Sequence, residues 1–186
     1  MRVFRTFMVA LLLVSASVAC TSHTAAPTLP TESPTRSSAP SPSLIAPAED
    51  LKAKVDAAIA AYRGLWAAYI AATRHPDPND AGIRKYATGD ALHVFDSGLA
   101  SMQRQGLAGK GTVVLHPKPV DIEPVAAPAI VGVSDCVDSA GSHLYKVDGS
   151  TYHDTKGGKR QVNAMVELRD GVWKVTEFAE QAVGTC

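Results

Sequence analysis

The chain has 186 residues, 46% hydrophobic and 19% charged, a composition that fits one globular domain beside a minority of unfoldable sequence. Lysine plus arginine (18) balances aspartate plus glutamate (18). A chain so close to neutral lacks the basic footprint of a nucleic-acid binder and a cationic face for acidic membranes.

Residues 1–19 read as a signal peptide. Arg2 and Arg5 form a charged start, Phe7 to Val14 a short apolar run, and small residues lead up to Cys20. The apolar run is shorter than the roughly 20 residues that a membrane span needs. The separated arginines favour the general secretory route over the twin-arginine one. Their removal would take the formal charge from 0 to −2.

Ser17-Val18-Ala19-Cys20 resembles the lipobox of bacterial lipoproteins. The resemblance implies that the Cys20 thiol carries diacylglycerol and that the leader is cut before it, which places the protein at the cell membrane, on its extracytoplasmic face. Ser17 stands where leucine is usual in that family. An ordinary secreted protein cut beside Cys20 is the alternative. Two or three acyl chains suffice for stable anchoring, each buried methylene contributing ~0.8 kcal/mol.

Residues 20–48 form the tether. Thr21 to Ala48 hold six prolines, eleven serines or threonines, two charges (Glu32 and Arg36) and no aromatic residue. Such a composition cannot offset its backbone entropy by burial. A coil of that length spans about 30 Å, and an extended chain roughly 90 Å.

The folded domain is expected over 49–186. Pro47, Glu49 and Asp50 mark a helix start, with acids at the positive end of the dipole. Leu51, Val55, Ile59, Tyr62, Trp66, Tyr69 and Ile70 then recur at spacings of three and four, and His75-Pro76-Asp77-Pro78 closes the helix. A shorter helix starts near Asp80 and ends before Gly89. A third, capped by Asp90, carries Leu92, Phe95, Leu99 and Met102. Gly106 and the Gly109-Lys110-Gly111 turn end the helical half.

The apolar period then changes from about 3.6 to 2. Strands are expected over Thr112–Ile122 (interrupted by Pro117 and Pro119), Ile130–Asp138, Gln161–Arg169 and Val172–Phe178, the last two joined by an Asp170-Gly171 hairpin turn. Ser139–Lys159 reads as a loop with a small hairpin. Helices followed by four antiparallel strands predict an α+β fold, with the helices on one side of a curved sheet.

This pattern resembles the nuclear-transport-factor-2-like cone shared by ketosteroid isomerase and polyketide cyclases. More narrowly, it is similar to a group of actinobacterial secreted proteins and lipoproteins. The resembling stretches are Tyr86-Ala87-Thr88-Gly89-Asp90-Ala91-Leu92, Asp135-Cys136-Val137-Asp138, Gly171-Val172-Trp173-Lys174-Val175 and Gly184-Thr185-Cys186. The resemblance implies a fold and carries no activity with it.

With Cys20 assigned to lipid, Cys136 and Cys186 remain as one pair, in an exported and oxidising setting. A structural disulfide is expected of them, because they lack the close C-x-x-C spacing of redox or metal sites. No metal or cofactor is expected. His143, His153, Asp148 and Asp154 crowd one turn-rich segment, but their spacing suits solvated side chains better than ligands. There is no G-x-S-x-G elbow, phosphate loop or dinucleotide fingerprint. Tyr62, Asp90 and Asp135 supply the residue types of a ketosteroid-isomerase site without a matching motif, so no catalytic residue is assigned. A small apolar pocket lined by Tyr62, Trp66, Asp135 and Trp173 is the sharper reading of residues that core packing also explains. The sequence therefore points to a non-catalytic binding or scaffold module, lipid-anchored, for an envelope protein or a small apolar ligand. The rival is a cone-fold isomerase or cyclase acting on a small hydrophobic substrate.

Overall fold

Three helices come first. In the computed structural model, which describes residues 48–186, helix α1 runs from Ala48 to Ala72 with Glu49 and Asp50 in its first turn. The leader, Cys20 and the tether up to Pro47 lie outside the described residues. The fully buried stripe of α1 is Ala58, Ala61, Tyr62, Leu65 and Trp66, while Val55, Ile59 and Tyr69 pack at its margins. Helix α2 spans Ala81–Tyr86, and Asp80 caps it by accepting the Ile83 N–H at 3.0 Å. It lies against α1 because Gly64 has no side chain: a Cβ there would stand 2.5 Å from the Tyr86 ring. Helix α3, Gly89–Arg104, buries Ala91, Phe95, Leu99 and Met102. The expected cap at Asp90 is corrected. Thr88 is the N-cap residue, without a side-chain bond, and Asp90 sits one position inside the first turn, where its charge faces the helix dipole.

Six strands follow: β1 Leu107–Gly111, β2 Lys118–Glu123, β3 Ile130–Asp138, β4 Ser142–Lys146, β5 Lys159–Arg169 and β6 Val172–Glu180. Four of them form an antiparallel sheet in the order β2-β3-β5-β6, and β1 pairs with β4 in a separate two-stranded sheet. The α+β class is as expected, and α1 contacts every strand of the larger sheet.

Three local expectations need correction. Gly109-Lys110-Gly111 is not a terminating turn but part of β1, held by pairing to Ser142, His143 and Leu144 of β4. The segment read as a loop with its own hairpin thus contributes a strand to a long-range pair. Thr112–Ile122 is not one strand. Pro117 has no N–H to give and the ladder begins at Lys118, with Pro119 already inside it; the chain before it meets β3 at the Val114–Asp138 bridge and through the His116 N–H on Asp135.

The concave face of the sheet carries Val131, Val133, Asp135 and Val137 from β3 and Val162, Ala164 and Val166 from β5. The β5–β6 hairpin turns through Asp170 (φ 50°) and Gly171 (φ 79°), both in the left-handed region that a two-residue hairpin of this hand requires. A bulge then shifts the register, so that Val166 faces Val175 while Ala164 faces Phe178. Simple alternation would send Phe178 to the outer face. The extra residue returns it to the concave side and bends the strand. Cys136 and Cys186 are joined as expected, which ties the C-terminal residue to the outer side of β3.

Candidate functional site: an aromatic-walled cavity and a buried tyrosine–aspartate pair

Between the helices and one end of the sheet lies an open-mouthed cavity of about 360 Å³. Its apolar wall is built by Trp66 and Tyr69 of α1, Phe95 of α3 and Phe178 of β6, with Val137 and Leu144 closing the sides. The four rings stack edge to face. Phe95 stands 4.8 Å from Phe178 and 4.9 Å from Tyr69 between centroids, and Trp66 stands 5.8 Å from Phe178. Such contacts hold the wall rigid. The bulge in β6 is what brings Phe178 into it.

The polar groups sit around the mouth. Asp154, in the segment between β4 and β5, accepts the Leu144 N–H at 2.9 Å and lies 3.7 Å from His143 Nδ1. Ser139 and Gly158 share three hydrogen bonds of 3.1–3.2 Å, two to the Gly158 carbonyl and one from its N–H, that fasten the same segment to the end of β3. Arg160 reaches the cavity from the concave face of β5, and its Nη1 pairs with Glu180 Oε1. Its Nε is buried and has no acceptor among the described residues.

Deeper in the core, the Tyr62 hydroxyl donates to Asp135 Oδ2 at 3.0 Å. The other carboxylate oxygen accepts the backbone N–H of His116 at 2.6 Å. Tyr62 is fully buried and Asp135 is 1% exposed. Burial first, and then the neighbouring Asp135 charge, push the Tyr62 phenol well above its ordinary pKa, so it remains a donor at any physiological pH. Trp66 Nε1 acts the other way. It forms no hydrogen bond of acceptable geometry, so the effect is that of a nearby N–H dipole and not of a made bond. Tyr69 is also raised, by burial alone.

The structure therefore divides the expected pocket residues. Trp66 lines the cavity. Tyr62 and Asp135 meet each other one layer behind it and do not line it. Trp173 lies elsewhere, half-buried near the β5–β6 hairpin opposite Leu168. Asp90 is exposed at the start of α3 and lines a separate groove with Gly132 and Val133 of β3. Tyr69, Phe95, Phe178 and Arg160 are wall residues that sequence reasoning did not assign to a pocket. Phe95 and Tyr69 were visible as apolar helix positions. Phe178 was hidden by the bulge. Among the described residues, no three histidine, cysteine or acidic side chains converge as a metal site.

No family model and no curated protein matches the sequence. Solved structures do. The intermembrane space region of the chloroplast protein ARC6 superposes with a TM-score of 0.52 at 15% identity, over 67% of this chain and 94% of that one. At that identity the likeness is one of fold. An NTF2-like protein of unknown function from Pseudomonas putida KT2440 matches at a TM-score of 0.37 and 15% identity, over 68% of this chain and 87% of that one. An uncharacterised protein with a cystatin-like fold from Caulobacter vibrioides matches at 0.39 and 13%, over 68% and 90%.

Proposed function

We propose that residues 49–186 form a binding module that takes a small, mostly apolar ligand into the aromatic-walled cavity. The observation that carries this reading is the division of labour around Trp66. The cavity it lines has aromatic walls and a polar rim, the make-up of a small-molecule site, and about 360 Å³ lies near the lower end of the range such sites occupy. A catalytic site needs an acid or base within hydrogen-bond reach of the substrate. The buried Tyr62–Asp135 pair is satisfied by the protein and lies behind the wall.

That same pair supports the rival reading, an isomerase or cyclase, because a tyrosine beside a carboxylic acid can stabilise an oxyanion in a dry site. Two measurements separate them. The purified full-length protein should raise the fluorescence of the neutral probe N-phenyl-1-naphthylamine, and Leu144→Trp, which fills the cavity from β4, should abolish the rise while the protein stays folded. An unchanged signal in that variant would refute the cavity as the site. Turnover of a small hydrophobic substrate, lost with Asp135→Asn at unchanged stability, would favour the enzyme.

We further propose that Cys20 is lipidated and that the tether displays the domain from the membrane on the extracytoplasmic side. The support is the small-residue segment Ser17-Val18-Ala19 before Cys20 and the proline-rich stretch after it. Cys20→Ser should release the protein from membranes or leave its leader uncut. Fractionation and migration identical to the parent would contradict the anchor.

A further inference from the structure

The cavity's rim carries more chemical information than its walls. Arg160 gives Nη1 to Glu180, while Nε is buried without an acceptor among the described residues. In a guanidinium, Nε and Nη2 form one edge of a rigid fork, on the side away from Nη1. An unpaired buried donor costs free energy, and a ligand that supplies the acceptor recovers it. Arg160 is on the cavity lining with its side chain 25% exposed, and its Nε is one of two orphaned donors among the lining residues, Trp66 Nε1 in the aromatic wall being the other.

The charges around it decide what kind of acceptor fits. Glu180 already neutralises the guanidinium, and Asp154 adds a second carboxylate to the lining. A ligand carboxylate would bring a third negative charge beside those two. A carbonyl oxygen satisfies the donor edge without that repulsion.

We infer that the cavity selects an uncharged apolar ligand bearing one hydrogen-bond acceptor, a ketone or ester carbonyl, seated on the Nε–Nη2 edge of Arg160. This rests on the binding reading above and narrows its ligand class. The apolar part of the molecule lies against Phe95, Phe178 and Trp66. Its carbonyl points to β5.

Three naphthalenes of nearly equal size test it by calorimetric titration of the full-length protein. 2-Acetylnaphthalene carries the acceptor, 2-ethylnaphthalene lacks it, and 2-naphthoate carries a negative charge. The acetyl compound should bind about tenfold more tightly than the ethyl one, as a charge-assisted hydrogen bond gives, and naphthoate should bind more weakly than the acetyl compound. In the double variant Arg160→Met with Glu180→Gln, which leaves no unpaired charge, the acetyl preference should fall to about twofold or less. Equal binding of the acetyl and ethyl compounds would overturn the acceptor assignment and leave the apolar cavity standing. Tightest binding of naphthoate would overturn neutrality. If none of the three bound, the binding reading itself would fall, and this inference with it.

Discussion

Tyr62 and Asp135 stand 73 positions apart in sequence and meet in the core, where neither has access to water. A buried carboxylate oxygen that loses its only donor keeps the full desolvation penalty, so Tyr62→Phe should lower stability by about 2–3 kcal/mol. Its pH dependence gives a second readout. The folded phenol is raised above the ordinary value of 10.0, so the unfolded chain ionises first. Tyr62 thus contributes stability fully below about pH 10, and loses it at up to about 1.4 kcal/mol per pH unit above that. Denaturant melts of parent and Tyr62→Phe at about pH 9 and about pH 11.5 check the sign. The gap between the two proteins should narrow at the higher pH, and a constant gap would show that the phenol is not buried. Asp135→Asn keeps an acceptor for His116 and should cost less than Asp135→Ala, which leaves both donors unpaired.

At the level of elements, the disulfide makes the most quantitative claim. Cys136 and Cys186 are 50 positions apart, and closing a loop of that length restricts the unfolded chain by roughly 4 kcal/mol in the chain-entropy model. Cys186→Ser should lower stability by up to that amount. A loss much below about 1 kcal/mol would mean that the hydrogen bonds of the tail, such as Gly184 to Lys159, hold it without the bridge. Which elements could be read in advance follows from how local their causes are. Strand β3, the β5–β6 hairpin and the start of α2 near Asp80 were legible because alternation, Asp-Gly and the acid ahead of the helix act within a few residues. The β1–β4 pair was not, since Leu107–Gly111 is glycine-rich and gains its strand character only from partners 31 to 39 positions away. The bulge in β6 was equally invisible, and with it the inward turn of Phe178. On α1, bulky residues marked a face centred slightly away from the buried one, because Ala58 and Ala61 are buried and carry almost no hydrophobic signal of their own.

For the described residues as a whole, the buried Tyr62–Asp135 pair joins α1 to the sheet in the core, and beside it lies a cavity walled by aromatic side chains. Of the four residues that sequence pointed to as a pocket, one is on that wall, two are behind it, and one is outside it. The chain has two tryptophans, Trp66 on the cavity and Trp173 near the β5–β6 hairpin, so their indole N–H signals report independently on the two places. The most direct test is a ¹H–¹⁵N titration of the full-length protein with 2-acetylnaphthalene. The Trp66 indole resonance should shift along a saturating curve while that of Trp173 stays in place. A saturating shift at Trp173 with none at Trp66, or no saturable shift at either, would contradict the assignment of the cavity as the binding site.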